Sequence, residues 1–218
     1  MEYIYTSSHK NWNSDRYRTV AISGNRGRDA GYKGDSYPKL APKWDFWEKW
    51  HNNIGVIPEE ENNRFYIKEY YDQVLSKLDP EKVYNDLRYY TVMLCYEEPT
   101  EFCHRHIVAA WLELLLEVEV PEAKVDGYSI EVVERPAYIK EWLEEEMRSK
   151  NMRGFHSLRA RYLFEKGDRY DHEAERLEAK TGKCYDDYRQ YAAFLRCDAD
   201  AAEQEYLERQ SAKIKQKK

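Results

Sequence analysis

Short runs of apolar and β-branched residues alternate with longer amphipathic segments in the N-terminal part of the chain. The runs YIYTSS at 3–8, YRTVAISG at 17–24 and TVMLCY at 91–96 have the composition of β-strands that end in small or polar residues. The third run is apolar nearly throughout, as expected for a strand covered on both faces of a parallel sheet. The run YSIEVVE at 128–134 predicts a fourth strand.

Helical spacing of apolar residues fills the intervals between these runs. Segments 44–50 and 64–78 each repeat aromatic or aliphatic residues at the period of a helix. Asp79 followed by Pro80 is a helix-start signal, with the aspartate as N-cap and the proline in the first turn. That helix is predicted to end near Tyr89.

A further helix is predicted to begin at Phe102 or Cys103, directly after the third strand. Strands that alternate with helices favour an α/β fold, here a Rossmann-like, mostly parallel sheet. Segment 25–43 is rich in glycine and proline and is predicted to be a long irregular loop. Such loops in compact domains are usually functional or disordered.

The character of the chain changes after residue 135. The sequence becomes charged and helix-favouring, and it is punctuated by Gly154, Gly167 and Gly182. We therefore predict an α/β domain over 1–135 and a charged helical extension over 136–218.

Composition narrows the class of protein. The chain has 218 residues, of which 42% are hydrophobic, which is enough for one domain with a real core and an appendage. A formal net charge of -6 argues against a surface built throughout to wrap nucleic acid, because that affinity comes mostly from Lys and Arg on phosphates. A local basic patch remains in the 25–43 loop, which carries Arg26, Arg28 and Lys33.

Targeting and redox signals are few. The opening MEYIYTSSHK lacks a basic region followed by an apolar stretch, and no segment approaches the roughly 18 apolar residues of a membrane span. We therefore expect a cytoplasmic protein without membrane association. The four cysteines show no paired spacing, so free thiols are expected. Cys95, inside the third strand, is expected to be a core residue.

Polar residues follow each of the three main predicted strands. In open parallel sheets, ligands bind outside the carboxyl ends of the strands. The first strand delivers Thr6 and Ser7 to this edge, the second delivers Ser23 and Asn25, and the third delivers Glu97. If the strands are parallel, these residues share one side of the sheet.

Cys103, His104 and Arg105 fall in the first turn of the predicted helix. Unpaired backbone N–H groups and the positive end of the helix dipole favour an anion there, and a guanidinium fork suits phosphate or carboxylate. The same field would lower the pKa of Cys103. We predict Arg105 as the main anion contact, with Ser7, Ser23 and Lys33 as auxiliary contacts.

The chemistry of this segment leaves alternatives open. Glu97 and His104 are candidate proton-transfer groups, and Cys103 is a candidate nucleophile or a polar liner. Cys103 could equally be a small residue packed at the helix entry, and Glu97 could pair with Arg105. A zinc site from Cys103, His106 and two distant ligands is conceivable, but no second Cys/His pair has ligand spacing, so no metal is predicted.

The segment VMLCYEEPTEFCHRHIVAAWL resembles the hallmark of the domain of unknown function 488 family: an apolar strand, a glutamate, then Cys-His-Arg and a helix. The similarity covers roughly residues 1–130. It implies an α/β fold of bacterial, archaeal or viral origin and a family without an established activity. Many members carry Asp-Val-Arg after the second strand, whereas this chain has Ala-Ile-Ser-Gly at 21–24, so no role of that Asp or Arg carries over.

Three functions are open on these grounds. The leading hypothesis is a bacterial or phage protein that binds or processes a phosphorylated small molecule such as a nucleotide or a nucleic-acid-derived metabolite; the cofactor is left open. The alternative is a non-enzymatic nucleic-acid-associated or regulatory module that uses the basic loop. The third is thiol redox or metal chemistry at Cys103.

Overall fold

The computed structural model describes residues 4–150 and 154–216. The described chain divides into two compact units, with the boundary between Met147 and Arg148. The sequence predicted a boundary after residue 135. That boundary would place the helix at Ala137–Ser149 in the C-terminal extension, whereas most of this helix belongs to the first compact unit.

The first unit is built on a seven-stranded sheet. The strands are β1 (Tyr5–Ser8), β2 (Trp12–Asn13), β3 (Thr19–Ala21), β4 (Asp35–Ser36), β5 (Val92–Cys95), β6 (Glu122–Asp126) and β7 (Ser129–Val133). The order is β2-β6-β1-β5-β3-β4, with β7 antiparallel on β6 and every other pairing parallel. The predicted α/β class with a mostly parallel sheet is confirmed.

The four runs predicted as strands all lie in this sheet, as β1, β3, β5 and β7. Strands β2, β4 and β6 were not predicted, because two of them have only two residues and β6 carries charges in the sequence EAKVD. Its first residue, Glu122, is nevertheless buried. A glutamate is not expected at a buried strand position unless a partner for its charge is known, so the sequence did not indicate this strand.

Helices lie between and after these strands along the chain. They are α1 (Trp44–Asn52), α2 (Glu59–Gln73), α3 (Pro80–Leu87), α4 (His104–Leu116) and α5 (Ala137–Ser149). Helix α4 packs against β1 and β5. The carboxylate of Asp79 accepts a hydrogen bond from the backbone N–H of Lys82, which confirms the predicted N-cap of α3. This helix ends two residues before the predicted Tyr89, and α4 begins after Cys103, as predicted.

Two helices make up most of the second unit: α6 (Leu158–Thr181) and α7 (Asp186–Gln216). The predicted helical character is confirmed, and Gly182 ends α6 in the left-handed conformation at φ 67°. The expected interruption at Gly167 is wrong, because this residue lies inside α6. A Cβ at that position would lie 3.0 Å from the carbonyl oxygen of Ala192, so the glycine allows a close approach of α7.

The segment 25–43 is irregular, as predicted, apart from β4 and two single-turn 3-10 helices at Arg28–Ala30 and Pro38–Leu40. A third such turn lies at Leu75–Lys77. Among the described residues, none of the helices combines the length and apolar character needed to cross a bilayer.

Candidate functional site

The carboxyl ends of β1, β3 and β5 lie side by side, and we call this side of the sheet the carboxyl edge. Ser8 at the end of β1 is level with Cys95 at the end of β5, and Ala21 at the end of β3 is level with Leu94. The backbone N–H of His9 continues this pairing beyond β1 by donating to the carbonyl of Cys95. The predicted sharing of one edge by the three strands is confirmed.

Two thiols, an imidazole and a carboxylate meet at the carboxyl edge, where α4 begins. The thiol of Cys103 donates to Oε2 of Glu97 at 2.7 Å, and the thiol of Cys95 donates to the same oxygen at 3.3 Å. Nδ1 of His104 lies 3.5 Å from Sγ of Cys95 and 4.0 Å from Sγ of Cys103. We call these four residues the thiol cluster; all except the half-exposed Glu97 are buried.

Mutual interactions shift the pKa values within the thiol cluster. Burial and the neighbouring Cys103 raise the pKa of Glu97 to about 7. Burial by itself would raise the pKa of Cys103, but the hydrogen bond from Cys95 and the positive charge of Arg105 hold it well below its usual value. Burial dominates at Cys95 and raises its pKa. The arrangement therefore favours the thiolate form of Cys103 and allows Glu97 to gain or lose a proton near neutral pH.

The ring of His104 is oriented by the backbone of the neighbouring strand. Nε2 lies 3.2 Å from the carbonyl oxygen of Ile22. A carbonyl oxygen only accepts, so Nε2 carries the hydrogen and Nδ1 faces the two sulfur atoms. Burial alone would lower the pKa of His104, but Cys103 and Glu97 raise it above its usual value.

Arg105 points into the sheet and is fully buried. Its Nε donates to both carboxylate oxygens of Glu122, at 3.2 and 3.1 Å, and its Nη2 donates at 3.0 Å. The third nitrogen, Nη1, has no hydrogen-bond partner among the described residues and lies 3.9 Å from Oε2 of Glu97. Two of the three guanidinium nitrogens, Nε and Nη2, therefore bind Glu122, and the third, Nη1, faces the thiol cluster.

Other predicted ligand contacts lie in the interior of the sheet. The hydroxyl of Thr6 donates to Oε2 of Glu122 at 2.6 Å, and Nε2 of His106 lies 3.2 Å from the same oxygen. The hydroxyl of Ser7 donates to the carbonyl of Ala123 at 2.6 Å. Thr6 and Ser7 are fully buried, and their hydroxyls bind β6.

Ser23 and Asn25 shape the turn that follows β3. The backbone N–H of Gly27 donates to the hydroxyl of Ser23 and to Oδ1 of Asn25, both at 3.1 Å. The hydroxyl of Tyr96, which follows β5, donates to the same Oδ1. Asn25 therefore ties the 25–43 loop to the carboxyl edge, whereas Lys33 is exposed further along the loop.

His9, the residue that follows β1, packs against the 25–43 loop and the residue after β5. Its ring is tilted against those of Tyr32 and Tyr96, with both pairs of centroids 5.2 Å apart. Its Nε2 is buried and has no hydrogen-bond partner in the described chain. Burial and the charge of Arg105 lower the pKa of His9.

Cys95 and Glu122 were not predicted from the sequence as functional residues. Cys95 is buried in β5, as expected, but its thiol faces Glu97 and His104, and the spacing C-x-E-x5-C-H was available as a signal. Glu122 gave no signal, because its partners Arg105 and Thr6 are remote in sequence. Predicted residues Glu97, Cys103, His104 and Arg105 are brought together as expected.

A family model described as the active DUF488-N3 subclade matches residues 7–115. The match spans β1 to α4 and includes every residue of the thiol cluster as well as His9, Arg105 and the 25–43 loop. No curated protein and no solved structure matches the chain.

Proposed function

The chain belongs to the DUF488 family, in the subclade described as active DUF488-N3, and from this premise we propose that it binds and processes a phosphorylated small molecule of the nucleotide class at the carboxyl edge. The observation that carries the proposal is a pair of buried nitrogens without hydrogen-bond partners in the described chain. They are Nη1 of Arg105 and Nε2 of His9. Buried polar nitrogens without partners are costly. An anionic ligand accepts from Nη1 of Arg105, and a ligand hydroxyl or phosphate oxygen can bond to Nε2 of His9 in either tautomer.

Helix α4 adds to this anion site. The side chain of its N-cap residue, Cys103, gives no hydrogen bond to the first-turn N–H groups. The helix dipole places partial positive charge at the same point, which favours a phosphate there. Arg105 is held rigidly by Glu122, so Nη1 is pre-organised for a ligand oxygen.

The aromatic residues beside His9 suit the other half of a nucleotide. Tyr32 and Tyr96 are half-buried, so part of each ring faces solvent. Stacking of a base on an aromatic ring contributes about 1–3 kcal/mol. A base on these rings and a phosphate at α4 would cover the thiol cluster, where Glu97, Cys103 and His104 supply the reacting groups.

A thermal-shift panel of nucleoside mono-, di- and triphosphates, sugar phosphates and inorganic phosphate tests the binding. A ligand at a hundredfold excess over its Kd should stabilise the fold by about 2.7 kcal/mol. We expect His9→Gln to abolish the shift and Lys180→Gln, at an exposed position on α6, to keep it. A panel without any shift, or an equal shift in His9→Gln, would contradict the proposal.

Processing is tested with the ligand that the panel identifies. We expect mass spectrometry to show turnover by the wild type, and Glu97→Gln to retain the thermal shift while losing most of the turnover. Equal turnover in Glu97→Gln and the wild type would remove the carboxylate from the mechanism.

The alternative of a nucleic-acid-associated module rests on the exposed side chains of Arg26, Arg28 and Lys33 in the 25–43 loop. It predicts binding to DNA or RNA that weakens steeply with salt and falls when these three charges are neutralised together. Binding that is insensitive to salt would exclude it.

A further inference from the structure

We propose that the thiol cluster is a binding site for a divalent transition metal of the zinc class, with Cys95, Cys103 and His104 as ligands and Glu97 in the fourth position. The site includes the reacting groups of the function proposed above, so metal binding gives Glu97, Cys103 and His104 a second role, as ligands.

The donor atoms lie close to the spacing of a tetrahedral metal site, although the separation of 4.0 Å between Nδ1 of His104 and Sγ of Cys103 is wider than the ideal. The two sulfur atoms and the ring nitrogen of the three buried residues all lie within 4.8 Å of one another. Zn–S bonds of about 2.3 Å and Zn–N and Zn–O bonds of about 2.0–2.2 Å place tetrahedral donors roughly 3.3–3.8 Å apart. Nδ1 of His104 lies 3.5 Å from Sγ of Cys95, and Oε2 of Glu97 lies 3.3 Å from that same sulfur.

The contact between Cys103 and Glu97 is shorter than this spacing, at 2.7 Å. This is a hydrogen-bond distance. When the metal takes the place of the hydrogen between the two atoms, they are no longer held this close together. Binding releases two protons to solvent, the thiol proton of Cys95 and the proton that lies between Cys103 and Glu97, and it involves no change of oxidation state. The half-exposed side chain of Glu97 has room to move away from Cys103 toward the tetrahedral spacing.

The tautomer of His104 is already the one that a metal needs. Its Nε2–H faces the carbonyl of Ile22 at 3.2 Å, so the lone pair of the neutral ring is on Nδ1, toward both thiols. Histidine ligands almost always donate their other ring N–H to a carbonyl or carboxylate in this way. A histidine that serves only to fill the core does not require two cysteine thiols facing its unprotonated nitrogen.

The ligands also stand on rigid elements. Cys95 is the last residue of β5, Cys103 is the N-cap of α4, and His104 is its first residue. Two thiolates and one carboxylate exceed the charge of the metal by one, and the guanidinium of Arg105 lies 3.9 Å from Glu97 to offset it. Since Glu97 alone reaches solvent, the fourth position can open to water or to a ligand.

Zn²⁺ and Co²⁺ titrations of the purified full-length chain, stripped of metal by a chelator, test the site. We expect one metal per chain, with the visible bands of tetrahedral Co²⁺ and a thiolate-to-cobalt charge-transfer band. Cys95→Ser and Cys103→Ser should each weaken Zn²⁺ binding by at least tenfold, as measured by competition with a chromophoric chelator. Cys184→Ser and Cys197→Ser change exposed thiols and serve as controls that bind as the wild type does.

A wild-type chain that gives no charge-transfer band with micromolar Co²⁺ overturns the proposal. The same holds if the band survives in the double variant Cys95→Ser/Cys103→Ser. Where a single variant fails to fold by circular dichroism, the wild-type titration decides alone, because the band's intensity reports how many thiolates bind. Failure here leaves the thermal-shift result for nucleotides unaffected, so the two proposals fail separately.

Discussion

Arg105 on α4 and Glu122 on β6 form an ion pair in which Nε and Nη2 of the guanidinium both donate to the carboxylate, and both side chains are fully buried. Removing one member of such a pair leaves an unpaired buried charge and costs about 3–5 kcal/mol. We expect Glu122→Gln to lower the free energy of unfolding by this amount in urea titrations. Glu60→Gln removes an exposed partner of Arg64 and should cost less than about 1 kcal/mol. Equal costs for the two variants would contradict the structural role.

The same pair predicts how stability depends on pH. Burial alone would raise the pKa of Glu122, but His106 and Arg105 lower it below its usual value. A lowered pKa in the folded state contributes stability that is complete above the unfolded value of about 4.3 and is lost as the pH falls through the folded value. We expect the stability difference between wild type and Glu122→Gln, from urea titrations at several pH values, to be constant near neutrality and to shrink in acid. If this stability difference grew as the pH fell, the pKa of Glu122 would be raised in the folded protein and not lowered.

Substitutions at Gly27 and Gly31 distinguish the effect of backbone strain in the loop from the effect of contact with His9. Both have left-handed backbones, at φ 75° and 72°, but a Cβ on Gly27 would lie 2.7 Å from Cε1 of His9, whereas a Cβ on Gly31 has open space. Gly27→Ala and Gly31→Ala should share a strain cost of about 1–2 kcal/mol. We expect only Gly27→Ala to displace His9 and to lose the nucleotide-induced thermal shift. Loss of the shift in both variants would mean that the loop conformation matters and His9 does not.

Gly167 should resist a change that normally stabilises helices. Gly→Ala inside a helix gains roughly 0.5–1 kcal/mol where there is space. Here the new methyl group meets the carbonyl oxygen of Ala192, so we expect Gly167→Ala to gain nothing and Gly167→Val to cost about 1–3 kcal/mol from overpacking. Thermal unfolding followed by circular dichroism measures both. Gly24→Ala, at an open position without a positive φ, is the control and should be near neutral. A stabilising Gly167→Ala would show that α6 and α7 can separate without cost.

The N-cap of α3 offers a simple local test. Asp79→Ala removes the acceptor for the Lys82 N–H and should cost about 1 kcal/mol, whereas Asp79→Asn keeps an acceptor and should cost only a few tenths. Urea titrations of the three proteins give the comparison. Equal losses in the two variants would assign the effect to charge instead of capping.

Local patterns were sufficient for much of the architecture. The alternation and apolar runs of β1, β3 and β5, the Asp79-Pro80 start of α3 and the Cys103-His104 start of α4 were all read correctly from the chain. These features succeed because hydrophobic period, capping chemistry and turn residues act over a few neighbouring positions. Parallel pairing then brings the strand ends to one edge, so Glu97, Cys103 and Arg105 could be predicted to meet.

Only the tertiary structure decided which way these side chains face and what they bind. The sequence marked Arg105 as an open anion contact, but the structure directs most of its guanidinium to Glu122, which lies on an unpredicted strand. It places the thiol of Cys95 beside His104 and lets α7 approach Gly167 within α6. Each of these contacts joins positions that are remote in sequence or that share no periodic pattern. Their energies come from burial and charge pairing, which local sequence does not encode.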